Sequence, residues 1–133
     1  MLNSINTPPK RPQILLVDDE PDILEIVGYN LRNEGYQVFT ATNGIEAVKS
    51  AKKNIPQLIL LDIMMPKMDG WDTIAAIEDE GLYKGNVICM LTAVHDPCPK
   101  LEKLTEYVMD YVRKPFTSEE LLEVVTEYIE YVQ

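Results

Sequence analysis

Four short runs of apolar residues constrain this chain more than any other feature. They are Ile14-Leu15-Leu16-Val17, Leu58-Ile59-Leu60-Leu61, Val87-Ile88-Cys89-Met90-Leu91 and Tyr107-Val108-Met109, the last resumed after Asp110 by Tyr111-Val112. Each is of strand length and nearly continuous, where a half-solvated strand would alternate apolar and polar residues. That pattern belongs to strands covered on both faces of a parallel sheet. A fifth run, Gln37-Val38-Phe39-Thr40-Ala41, alternates more and suits an edge strand.

Helical patterns separate the runs. Over residues 21–34, Ile23, Val27 and Leu31 form one stripe with Leu24 beside it; Pro21 suits the first turn and Gly35 the position just past the end. Asn43 with Glu46 predicts a capping box for a helix over 44–53. Asp69 can cap a third helix to about Glu80, and Thr117 with Glu120 makes another box before a last helix to about Tyr131. Pro97 and Pro99 bar a helix from the start of the remaining segment and leave it about 100–106. In the last helix Leu121, Val125, Ile129 and Val132 predict the inward stripe. Val124, Tyr128 and Tyr131 form a second stripe, either an interface or a partly buried face.

Strands alternating with helices specify the α/β class: a five-stranded parallel sheet, doubly wound as (βα)5, in three layers. The 133 residues fit one domain, expected over 12–133, behind a loose tail over 1–11. The first twelve residues hold three prolines and two basic residues and lack the apolar core of a signal peptide. No run approaches the roughly 20 apolar residues of a membrane helix, so a soluble cytoplasmic protein without membrane contact is expected. The formal net charge of −10 argues against direct nucleic-acid binding. Cys89 lies in an apolar run and reads as a core residue. His95 and Cys98 stand close together, but two more ligands for a zinc site are missing, and they read as loop residues.

The residues that follow each run carry the chemistry. Val17 precedes Asp18-Asp19-Glu20, Leu61 precedes Asp62, Leu91 precedes Thr92, and Val112 precedes Arg113-Lys114-Pro115. In an open α/β sheet, ligands bind beyond the carboxyl ends of the strands. Carboxylates, a hydroxyl and an ammonium therefore converge on one edge. Two carboxylates about 5 Å apart repel by roughly 3 kcal/mol at an effective dielectric near 20. Such a cluster calls for a cation among the acids or a proton on one of them. Oxygen-only ligands suit a hard ion such as Mg²⁺, with Mn²⁺ as an alternative. A cation with open positions can hold the oxygens of a phosphoryl group arriving at Asp62. Lys114 can cover its charge, and Thr92 can donate a hydrogen bond.

The same residues resemble a known family, the receiver domains of two-component response regulators, across about residues 12–132. The matching stretches are Ile14 to Glu20, then Leu60-Leu61-Asp62-Ile63-Met64-Met65-Pro66 with Asp69-Gly70, then Leu91-Thr92-Ala93, and Tyr111-Val112-Arg113-Lys114-Pro115-Phe116. The resemblance implies a flavodoxin-like fold and a signalling switch rather than a turnover enzyme. Asp62 would accept a phosphoryl group from a sensor histidine kinase or phosphotransfer protein. Asp19 and Asp62 would ligate Mg²⁺ directly, Asp18 largely through water, and the backbone carbonyl of Met64 would complete the protein ligands. Thr92 would bond the phosphoryl oxygen and Lys114 would pair with it. The Lys114-Pro115 bond would be cis, and small Ala93 would leave a path to Asp62. Thr92 and Tyr111 would form the switch: Thr92 is drawn toward phosphorylated Asp62, and Tyr111 turns into the vacated space. A downstream protein target would read the surface of the fourth helix, fifth strand and fifth helix.

Three features depart from the family pattern. Tyr107-Val108 replaces a small pair, Pro97 and Pro99 shorten or displace the fourth helix, and Lys67 replaces a small residue. With no output domain expected after Gln133, docking, onward phosphotransfer or kinase sequestration would be the mode of action. Two alternatives remain: a metal-dependent phosphohydrolase, and an interaction module that keeps the fold without phosphorylation. Apolar Met64, two residues after Asp62, counts against the first. The presence of every chemical residue counts against the second. A nucleotide-binding Rossmann domain is disfavoured because no glycine-rich turn follows the first strand.

Overall fold

The computed structural model describes residues 11–132, so the expected tail lies, apart from Arg11, outside the described residues, as does Gln133. The strands are β1 (Gln13–Val17), β2 (Gln37–Ala41), β3 (Leu58–Asp62), β4 (Val87–Thr92) and β5 (Val108–Arg113). All pair in parallel, in the order β2-β1-β3-β4-β5. The helices are α1 (Pro21–Asn33), α2 (Gly44–Asn54), α3 (Gly70–Asp79) and α4 (Ser118–Val132). The expected doubly wound α/β layout stands. No helix among the described residues is long and apolar enough to cross a membrane.

Two cores explain the unbroken apolar runs. Ile14, Leu16, Leu58 and Leu60 pack with Val27 and Leu31 of α1 and with Leu121, Val125 and Ile129 of α4. Their neighbours Leu15, Val17, Ile59 and Leu61 point the other way, onto Ala47, Val48 and Ala51 of α2 and Trp71, Ile74 and Ile77 of α3. Residues 14–17 and 58–61 are all 0 % exposed. Each such side chain stabilises the fold by roughly 1.5–3 kcal/mol, so β1 and β3 are firmly held. The strand order reverses between them, which opens a crevice at their carboxyl ends.

Two expectations need correction. The run that forms β5 was expected to be covered on both faces, like the other three. Instead β5 is an edge strand with Val112 its only buried residue, and Tyr111 is 46 % exposed. It pairs only with β4, and the segment before it is too short to shield it. That segment, expected as a helix over 100–106, is a 3₁₀ helix, η1 (Glu102–Tyr107), anchored by buried Leu104. Pro97 and Pro99 leave few residues before β5, too few to nucleate a stable α-helix. A 3₁₀ turn covers more distance per residue. Tyr107 closes η1 by packing edge-on against Tyr83, with centroids 4.9 Å apart.

The caps follow the sequence with one change. Asp69 and Asp72 bond each other's amides at the start of α3, and Thr117 and Glu120 do so before α4. At α2, Asn43 accepts from the Glu46 amide, but the Glu46 carboxylate reaches one residue further back, to the amide and hydroxyl of Thr42. Asn43 and Glu46 therefore make only half of the expected box. Pro21 opens α1, and Gly35 beyond its end has φ +98°. On the second-strand side of the sheet, Ala41 accepts from the Asp18 amide at 3.1 Å, which extends pairing past β1 to the first acidic residue.

Ile55 ends α2 in the left-handed region, at φ 49° and ψ 67°. A β-branched residue is strained there, and Asn or Gly is favoured. Its side chain is also 60 % exposed, so little packing would be lost on substitution. Ile55→Asn is expected to raise the unfolding free energy by about 1 kcal/mol in urea titrations. Ile55→Val should leave it nearly unchanged.

Candidate functional site at the carboxyl edge of the sheet

The ends of β1, β3 and β5 bring three charged side chains together. Asp18 is 0 % exposed and Asp62 is 4 % exposed. Between them lies the Lys114 ammonium, 2.9 Å from Asp18 Oδ2 and 3.4 Å from Asp62 Oδ1. Glu20 approaches the same ammonium at 3.6 Å, from a largely exposed position. The second oxygen of Asp18 accepts from the Glu20 amide at 2.9 Å. The Lys114-Pro115 peptide is cis, as the resemblance implied.

The electrostatics are those of crowded acids around one cation. Burial drives the Asp62 pKa up to about 7, helped by the charge of Asp18 and to a lesser degree Asp19; Lys114 works against the rise. For Lys114, burial opposes the charged form. Its hydrogen bonds and charge interactions with Asp18 and Asp62 outweigh that, and its pKa is raised.

Asp19 is exposed and lies beside the pair. One oxygen from each of Asp18, Asp19 and Glu20 falls within 4.8 Å of the others. The donor atoms here are all hard oxygens, the set that suits Mg²⁺. Glu20 was not anticipated as part of this group, although it completes the acidic triplet and could have been read from it. An open cavity of about 410 Å³ lies over these residues, and Asp19, Asp62, Met64, Ala93 and Lys114 line it. Met64 is 51 % exposed.

Thr92 ends β4 next to this cavity, but its hydroxyl contacts Ala93 O at 3.4 Å and makes no hydrogen bond to Asp62 among the described residues. Tyr111 stands apart from the cluster, half-exposed, its ring 6.4 Å from that of Trp71. Cys89 is buried and Cys98 exposed, and both are free thiols. The structure places no third ligand with His95 and Cys98 among the described residues.

Gly70 is a site residue whose role sequence reasoning left unexplained. Its amide donates to Ile63 O at 2.7 Å. A Cβ there would stand 2.7 Å from Asp62 O and 2.9 Å from Ile63 Cα. Those are backbone atoms that cannot swing away, so only glycine lets α3 start against the end of β3. Lys67, in the same loop, has φ 68°, a left-handed conformation that glycine adopts more easily than lysine.

The comparisons agree on one family. The sequence model described as "Response regulator receiver domain" matches residues 14–126. The alkaline phosphatase synthesis transcriptional regulatory protein PhoP of Bacillus subtilis is 40 % identical over 109 residues, which is 82 % of this chain and 45 % of PhoP. The probable transcriptional regulator ycf27 of Pyropia yezoensis is 40 % identical over 112 residues, 84 % of this chain and 45 % of that protein. The chain thus spans about half the length of these curated relatives. Among solved structures, a CheY-like response regulator receiver domain protein from Methanospirillum hungatei JF-1 superposes with a TM-score of 0.89 at 41 % identity, covering 92 % of this chain and 98 % of that one. The chemotaxis protein CheY4 of Vibrio cholerae superposes with a TM-score of 0.78 at 30 % identity, over 90 % and 99 % of the two chains.

The raised pKa of Asp62 has a direct consequence for metal-free protein. A carboxyl group whose pKa rises on folding adds stability below its unfolded value, here 3.8, and loses it as pH climbs through the folded value near 7. In EDTA at pH 8, Asp62→Asn is therefore expected to be more stable than the wild type, by on the order of 2 kcal/mol. The gap should close as pH falls from 7 toward 4. Parallel denaturation of the two proteins across that range gives the answer, and a constant gap would contradict it.

Proposed function

The chain belongs to the response regulator receiver domain family, and from that premise we propose that it is a phosphorylation-controlled switch of a two-component system with Asp62 as the acceptor. The observation that carries this reading is the convergence of Asp18, Asp62 and Lys114 within ion-pair distance, each delivered by a different strand. Receiver domains signal rather than turn over substrate. A sensor histidine kinase or phosphotransfer protein is the proposed donor, an unidentified protein the downstream target, and the cytoplasm the place of encounter. The net charge of −10 disfavours nucleic acid as a direct partner of this domain. The domain is taken to extend over 12–133.

The chemistry follows from the groups present. A carboxylate oxygen of Asp62 attacks the phosphorus of the donor. The bond from phosphorus to the donor's nitrogen (or oxygen, with a small phosphodonor) breaks, and its electron pair leaves with the donor. The product is a mixed anhydride on Asp62. The Lys114 ammonium, already held by Asp18, pairs with the arriving phosphoryl charge, and the Thr92 hydroxyl bonds one of its oxygens. Asp18, Asp19, Asp62 and the Met64 carbonyl would hold Mg²⁺ or Mn²⁺. When bound, the ion neutralises the acids and offers open positions to phosphoryl oxygens. Drawing Thr92 toward Asp62 frees space into which Tyr111, now half-exposed on the edge strand, can turn.

A phosphohydrolase would need a base to activate water. Met64, which lines the cavity two residues after Asp62, is apolar and cannot serve. Slow loss of phosphate, not turnover, is therefore proposed.

Incubation with Mg²⁺ and acetyl phosphate, followed by intact-mass measurement, tests the reading. One phosphoryl addition is expected, absent in Asp62→Ala and in EDTA. Lys114→Ala should slow it by on the order of a hundredfold. Failure of any addition would favour the interaction module, and release of many equivalents of phosphate would favour the hydrolase.

A further inference from the structure

Trp71, the chain's single tryptophan, sits where three parts of the proposed switch meet. It follows Gly70, which packs against the backbone of the acceptor. The residue is 5 % exposed, and its ring faces that of Tyr111 at a 50° tilt. Its indole N–H donates to the carbonyl of Pro97 at 2.9 Å, across 26 positions of sequence.

The loop between β4 and Pro97 is closed on itself. The Ala93 amide donates to the Asp96 carboxylate, and the Asp96 amide returns to Ala93 O at 3.3 Å. Pro97 follows directly, with its φ locked by the ring. A shift of the Thr92 backbone toward Asp62 therefore pulls on this turn, and the turn is tied at its far end to Trp71. The same indole that ties the turn also lies against Tyr111.

Building on the reading of Asp62 as phosphoryl acceptor, we infer that Trp71 is a positioning residue that latches the loop after β4, together with Tyr111, in the unphosphorylated arrangement. Phosphorylation of Asp62 breaks the bond from Trp71 to Pro97. Trp71→Phe keeps most of the ring and deletes only the donor. Losing one hydrogen bond of ordinary net strength corresponds to about a threefold to tenfold change in population. The variant thus populates the released arrangement more and accepts phosphate faster by that factor.

The test uses the full chain in two measurements. In ¹⁵N-labelled wild type, the single indole cross-peak is followed before and after adding beryllium fluoride with Mg²⁺, along with its exchange with solvent. Separately, the initial rate of phosphorylation by acetyl phosphate is measured by intact mass for wild type and Trp71→Phe. The expected result is a shifted, faster-exchanging indole signal and a threefold to tenfold faster variant. A tryptophan that served packing alone would lower the variant's melting temperature without accelerating phosphorylation, and that outcome would overturn the latch. So would an unmoved indole signal in protein that demonstrably accepts a phosphoryl group. If the variant does not fold, the wild-type indole signal decides. If the wild type accepts no phosphoryl group, the acceptor reading fails and the latch falls with it.

Discussion

Two carboxylates almost without exposure share one ammonium, and the rest of the molecule is arranged to make that tolerable. Asp18 and Asp62 cannot both remain ionised in such a place without a counter-charge. Lys114 supplies it from the end of β5, on the far side of β4 from Asp62's own strand. The arrangement is incomplete by design. One ammonium against two buried acids and the nearby charges of Asp19 and Glu20 leaves the site short of positive charge. That shortage is what a divalent cation would relieve; it adds to burial, the larger cause, in keeping the Asp62 carboxyl hard to ionise.

Much of this was legible in the residues because it depends on local order. Unbroken apolar runs report strands covered on both faces, and the alternate packing of Leu58 and Leu60 against Ile59 and Leu61 is the reason. Asp18, Asp62, Thr92 and Lys114 could be placed at one edge from their positions at strand ends alone. What stayed hidden depends on contacts distant in sequence. Nothing local marks β5 as an edge strand, since edge status is set by what pairs beside it. The proline pair announced a short fourth segment but not its 3₁₀ geometry. Gly70 could be quoted as part of a motif, yet its reason is the backbone of Asp62 and Ile63 pressed against it. Trp71 carries no local sequence signal for its bond to Pro97, which spans 26 positions.

The second tyrosine stripe on α4 resolves into two kinds of residue. Val124 and Tyr128 are partly buried, and the Tyr128 hydroxyl donates to Asp110 at 3.0 Å, which ties α4 to the edge strand. Tyr131 is 70 % exposed. The partly buried reading therefore describes the first part of the stripe. The side chain of Val132, assigned to the inward stripe, lies outside the described residues.

Because the site is assembled from the last residues of strands, the sheet behaves as a ruler. Each strand residue advances about 3.3 Å and reverses the side chain's direction. Removing one residue from β3 would both retract Asp62 and turn it toward the wrong layer. The loops that enter the strands carry no such demand. The longest of them, between α3 and β4, holds Gly81 and Gly85 at φ +68° and +78°, with nothing within 4 Å of where a Cβ would stand. Length variation in this fold therefore has a polarity: one rim of the sheet is held to a single residue, while the opposite rim can be lengthened or shortened without disturbing the charges it never touches.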